Sequence, residues 1–166
     1  WGMVPTHVCL MPNLLPSWFT WGYMAFIDAA DVVNANTIVE WGIGPFRSWA
    51  GIQGPHLLDA IDRGAKLIVV DPRFEETACK AHIHLQLRPG TDAALALGLA
   101  NVIINEGLYD KDFVEKWGLG FDKYINRVQE YPLDKVSEIT WVPKEKIVAA
   151  ARLMAKNRPT TSTVSL

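Results

Sequence analysis

Lys66-Leu67-Ile68-Val69-Val70-Asp71-Pro72-Arg73 is the stretch on which the fold turns. Four consecutive apolar residues read as a strand buried on both faces, Asp71 closes the run, and Pro72 stops ladder pairing. Two other apolar runs end in the same way. Upstream stands Ile38-Val39-Glu40-Trp41-Gly42-Ile43-Gly44-Pro45, and downstream Ile83-His84-Leu85-Gln86-Leu87-Arg88-Pro89-Gly90-Thr91-Asp92. Strands of this kind alternating with helical patterns predict a parallel sheet in a Rossmann-like, three-layer α/β/α domain. In such sheets ligands bind beyond the carboxyl ends of the strands, where helix N-termini present free N–H groups to phosphates. The three loops therefore outline a dinucleotide crevice.

Working outward, Ser48 is expected to cap a helix over 48–63 that Gly64 stops. A short helix is expected over 75–80. Thr91 and Asp92 offer an N-cap and a first-turn acid to a helix running to Gly107, with Leu95, Leu99, Val102 and Ile103 at helical spacing. Beyond Asp110 the pattern is wholly helical, over 110–117, 122–130, 133–139 and 143–157, with Ile147, Ala150, Ala151 and Met154 on one face of the last. The expected organisation is a loop-rich entry (1–35), an α/β unit (36–109), a helical segment (110–159) and the opening of a further strand (160–166). Because that last strand stops without a turn signal, the chain reads as a piece of a longer one and the domain as incomplete.

Composition narrows the function classes. A net charge of -2 over 166 residues, with signs interspersed, leaves no basic stripe to track a phosphate backbone, so nucleic acid is not an expected partner. No run approaches the roughly 20 apolar residues of a membrane-spanning helix. Cys9 and Cys79 are too few for a disulfide framework, and no Cys/His cluster suited to zinc or iron–sulfur is present.

Each loop admits two readings. Gly42 and Gly44 could let a backbone approach a pyrophosphate or could simply make a turn, and Pro45 with the missing third glycine departs from the nicotinamide fingerprint. Asp71 is expected as an exposed carboxylate for a ribose or guanine N–H, or as a cap for the segment starting at Phe74. Arg73 and Arg88 would converge on the same rim as forked donors, or neutralise Asp71 and Asp92. Gly90-Thr91-Asp92 could grip a ligand or merely cap a helix. His82 and His84 share one strand face but lack a third ligand. His7 and His56 read as surface or partner-bonded, and Cys79 as inert packing.

The runs 64–73, 88–97 and 106–114, taken in order, resemble the molybdopterin oxidoreductases, the family of formate dehydrogenases, periplasmic nitrate reductases and DMSO reductases. The resemblance spans residues 31–159. It implies a molybdenum or tungsten ion held by two molybdopterin guanine dinucleotides and one protein ligand, with this chain as the α/β domain that binds one of the dinucleotides. The binding residues it implies are Trp41, Gly42, Gly44, Pro45 and Ser48 at the first strand end, Asp71 and Arg73 at the second, and Arg88, Gly90, Thr91 and Asp92 at the third. Cys9 lies 33 residues before Gly42, close to the place of the family's metal ligand, and is the implied thiolate and catalytic residue. A soft thiolate suits a metal already bound by sulfur.

Three positions depart from the family pattern. Gly44 stands where Asn is usual, His82 where Asp is common, and Leu10 where formate dehydrogenases usually place His after the metal ligand. The resemblance further implies a 4Fe-4S cluster in a preceding region, remaining domains of the same subunit, an iron–sulfur electron-transfer subunit and a small-molecule substrate. Two rivals stay open: a cofactor-less electron-transfer or structural subunit of the same fold, and a non-redox hydratase using the same cofactor.

Overall fold

A computed structural model describes residues 15–16, 18–19, 22, 30–48, 51 and 53–164. Four parallel strands form one sheet: β1 (Thr37–Trp41), β2 (Lys66–Val70), β3 (Ile83–Leu85) and β4 (Thr160–Val164), in the spatial order β3-β2-β1-β4. The chain steps outward from β1 to β3, then crosses back and adds β4 to the other side of β1. Between β1 and β4 the direction of winding reverses, and such a switch point opens a crevice at the carboxyl ends of the strands.

Strand alternation sorts the core into two layers. Val39, Ile68, Val70 and Leu85 face one side and pack on Leu95, Leu99 and Val102 of helix α4 (Asp92–Asn105), Val136 of α7 (Leu133–Thr140), and Ile147, Ala150 and Ala151 of α8 (Lys144–Lys156). Ile38, Leu67 and Val69 face the other side, against Leu57 and Ala60 of α2 (Gln53–Asp62) and Ala78 of α3 (Glu76–Cys79). This is the expected three-layer arrangement. Helices α5 (Lys111–Trp117) and α6 (Phe121–Gln129) complete the helical segment, the first capped by Asp110, whose Oδ1 accepts from the Phe113 N–H at 2.9 Å. The buried Asn101 side chain ties α4 to the end of α6 by donating to the Val128 carbonyl at 3.1 Å.

Three expectations are corrected. Ser48 does not open the first long helix: it closes the short helix α1 (Pro45–Ser48), because Pro45, with its fixed φ and no N–H to lose, starts a helical turn immediately after the strand. The long helix begins only at Gln53. The third strand, expected over 83–87, ends at Leu85: the Leu87 N–H turns back to the Leu85 carbonyl at 3.1 Å, and the Arg88 N–H goes to the Thr140 carbonyl at 2.8 Å. Cys79 is exposed at the end of α3 rather than packed.

Gly98 marks the tightest helix contact. A Cβ there would lie 2.6 Å from Val136 Cγ1, so α4 and α7 approach more closely than any side chain permits. Gly98→Val should lower the stability of the full-length protein by about 1–3 kcal/mol through overpacking. Gly51→Ala, where a Cβ meets nothing within 4 Å, should leave it nearly unchanged. Urea unfolding midpoints of the two variants check the difference.

Candidate functional site

The carboxyl ends of the strands bring the three loops together. At the first, Gly42 holds a left-handed φ of 63° and its N–H extends the ladder to the Val70 carbonyl at 2.8 Å. Only glycine adopts this turn without a Cβ penalty, and it leaves Gly42 exposed beside the switch point. Trp41, on the α4 side of the sheet, donates from its indole Nε1–H to Asp92 Oδ1 at 2.8 Å. This bond joins the first loop to the third past the end of β2.

At the third loop the capping alternative holds in position only: α4 opens after Thr91 with Asp92 in its first turn. Thr91 occupies the N-cap position of α4 but makes no side-chain cap bond; its hydroxyl donates instead to the Arg88 carbonyl at 2.6 Å and closes the turn through Gly90. Gly90 has φ 80°, and nothing lies within 4 Å of where its Cβ would be. Asp92 is spent partly on Trp41. The loop is thus shaped by its own hydrogen bonds, with an open floor at Gly90.

Asp71 is buried, 5% exposed, where an exposed carboxylate was expected. Its Oδ1 accepts the Arg73 backbone N–H at 2.7 Å, folding the carboxylate back over its own turn, while the Arg73 guanidinium stands 3.9 Å away and largely in solvent. It does not cap the following helix, whose N-cap is Glu75. Arg73 thus stands as the neutralising partner of Asp71, while Arg88 lies over the Trp141 ring, 5.5 Å from its centroid.

Two acids with buried carboxyl oxygens escaped the sequence reading. Glu40, on β1 immediately before Trp41, is fully buried and neither carboxyl oxygen has a hydrogen-bond partner. Burial pushes its carboxyl up to about 8, with the Thr163 hydroxyl beside it on β4 pulling the other way. That hydroxyl accepts from Gln53 Nε2 at 2.8 Å, which leaves its own O–H to turn toward Glu40. Glu75 likewise keeps two buried, unpartnered oxygens, and they lie 2.9 Å from where a Cβ on Gly44 would stand. Gly44 is therefore close-packed by the protein itself. A lone acid inside the apolar run Ile38-Val39-Glu40-Trp41 was the signal for Glu40; nothing local announced Glu75.

The histidine pair does not make a metal centre. His82 Nδ1 accepts the Leu67 N–H at 3.1 Å, and His84 Nε2 meets the Asp71 carbonyl at 2.9 Å. Among the described residues no group of three or more His, Cys, Asp or Glu could hold a metal ion. Cys9, with His7, lies outside the described residues. Pro45 is buried at the start of α1, and Ser48 ends that helix.

A family model described as molybdopterin oxidoreductase matches residues 8–160. The chain is similar to acetylene hydratase of Syntrophotalea acetylenica, 58% identical over 100 residues, which are 60% of this chain and 14% of that protein. It is similar also to formate dehydrogenase H of Escherichia coli (strain K12), 38% identical over 126 residues, 76% of this chain and 18% of that one. Among solved structures, acetylene hydratase from Pelobacter acetylenicus superposes with a TM-score of 0.75 at 46% identity, covering 82% of this chain and 19% of that one. The chain thus spans a fifth or less of the length of these relatives.

Glu40 makes stability depend on pH in a definite direction. Its folded-state value of about 8 lies above the ordinary 4.5, so the folded protein binds this proton more tightly than the unfolded chain does. Stability from this group is complete below pH 4.5 and is lost as pH rises toward 8. Glu40→Gln, which cannot ionise, should match the native protein in mild acid. At pH 7 it should be the more stable by roughly 3 kcal/mol in the full-length protein. Thermal unfolding at a series of pH values checks this, and parallel curves for the two proteins would refute it.

Proposed function

Because this chain belongs to the molybdopterin oxidoreductase family, we propose that it is the part of a catalytic subunit that holds one molybdopterin guanine dinucleotide across the carboxyl ends of β1, β2 and β3. The carrying observation is the Trp41–Asp92 hydrogen bond at 2.8 Å, which ties the first strand-end loop, with Gly42, to the third, with Gly90, along one rim. Their bare backbones suit a ligand that must approach closely, and the open space at Gly90 fits it. Asp71, held in place by the Arg73 N–H, retains a second carboxylate oxygen for ribose or guanine N–H donors. Arg73, exposed beside it, supplies positive charge toward phosphate.

When bound, the group supplies a Mo or W ion held by dithiolene sulfurs and able to exchange two electrons. Cys9 is the proposed protein thiolate for that ion. The protein's share of the work is to bind, orient and tune the cofactor. The reading carries with it a 4Fe-4S cluster in a preceding region, the remaining domains of the subunit, an iron–sulfur partner subunit and a small-molecule substrate. The intact polar loops speak against a cofactor-less subunit.

A second reading, hydration of a small substrate without net electron transfer, is favoured by the 58% identity to acetylene hydratase. The two are separated by whether turnover of the full-length enzyme reduces or oxidises an added dye.

The full-length protein purified without oxygen should contain Mo or W, and should release GMP on acid hydrolysis. Absence of both metals and of GMP would sink the proposal. Cys9→Ala should abolish turnover while the GMP content stays; full turnover would remove Cys9 from the metal. Asp92→Ala should weaken cofactor retention by ~2 kcal/mol, from loss of a charged hydrogen bond and of the tie to Trp41.

A further inference from the structure

Trp141 ends α7 in a backbone conformation that the turn uses and that a side chain makes costly. It follows the last turn of α7 with φ 65° and ψ 7°, the left-handed region where helices ordinarily end in glycine because a Cβ makes it costly. Among the described residues it is the one non-glycine with positive φ. The indole is not driven there by burial, since Trp141 is 68% exposed. The exposed ring is thus open to a contact from outside the chain.

The surroundings say what that is. The Arg88 backbone N–H is bonded to the Thr140 carbonyl at 2.8 Å, so the turn carrying Trp141 is fastened to the third strand-end loop. The Arg88 guanidinium then covers one side of the indole, 5.5 Å from its centroid. In a doubly wound sheet the acid at the end of the second strand takes the ribose, and the base lies beyond it. Here that acid is Asp71, and beyond it toward the sheet edge comes the loop of Arg88 and Gly90. Adjacent strands stand about 4.8 Å apart, so the end of β3 lies about 10 Å from that of β1. An aromatic face braced by a guanidinium suits a planar purine there, through stacking and cation–π attraction.

We propose that Trp141, braced by Arg88, is the stacking platform for the purine base of the dinucleotide bound at the strand ends. This rests on the dinucleotide reading above and adds to it a residue that sits outside the three loops, in the helical segment. It also assigns the strain a purpose: glycine at 141 would make a more relaxed helix end and a poorer base site.

The test uses the full-length protein purified without oxygen, with GMP released on hydrolysis, the rate of GMP loss on dilution, and the thermal midpoint as readouts. Trp141→Gly should unfold at an equal or higher temperature than the native protein yet lose GMP roughly tenfold faster. Trp141→Leu should lose it as fast as the glycine variant, while Trp141→Phe, which keeps an aromatic face, should restore most of the retention. Native rates of GMP loss in both the Gly and Leu variants would overturn the inference and leave the dinucleotide reading standing. A native protein that contains no GMP would overturn both.

Discussion

The return of the chain to the free edge of β1 is the constraint on which the rest depends. After β3 the backbone runs through five helices before β4 pairs with β1, and the register is fixed at the opposite end of the sheet from the proposed site. There the Asn36 and Thr37 N–H groups both donate to the Pro159 carbonyl, at 2.8 and 3.1 Å, and the Asn157 amide donates to the Asn36 carbonyl at 2.9 Å. The Thr37 hydroxyl completes the clasp by donating to the Asn157 carbonyl at 2.9 Å. With β4 so placed, β1 becomes an interior strand whose carboxyl end opens at a reversal of winding. Without it, Gly42 would sit at an ordinary sheet edge.

Above that foundation the rim is cross-tied by side chains rather than by secondary structure. Trp41 reaches Asp92, His84 reaches the Asp71 carbonyl, and the Arg88 backbone reaches Thr140. The first tie joins the first loop to the third, the second joins β3 to the second loop and the last joins the third loop to the end of α7, so the rim is braced by the chain itself. Binding surfaces of this kind lose less freedom when a ligand arrives. The buried acid Glu40 works against this economy, since an unpartnered carboxyl inside a core is costly whichever protonation state it adopts.

The layers of the fold were legible because their signals are local. Buried strands announce themselves as short apolar runs closed by Asp-Pro or Gly, and α4 by apolar residues at helical spacing behind Thr91. The length of the first helix was not legible, because a proline at the start of a turn and a serine at its end carry opposite meanings, and only the backbone path chooses between them. At the site, which residues stand at the strand ends was readable, but their partners were not. Trp41 and Asp92 are 51 positions apart, and Arg88 and Trp141 share no sequence pattern. Asp71 read as an exposed acid because nothing nearby in sequence says that its own carboxylate folds back onto Arg73.

The contact between Gly44 and Glu75 carries a consequence for how such sequences diverge. The Glu75 carboxylate occupies the volume that any larger residue at position 44 would need, at 2.9 Å from its first side-chain atom. The carboxylate belongs to the far end of a flexible side chain and not to backbone, so a swing of Glu75 about its own torsions would admit a larger residue. The two positions can therefore change one at a time, and the glycine at 44 is a matter of which side chain fills the space rather than of a closed one.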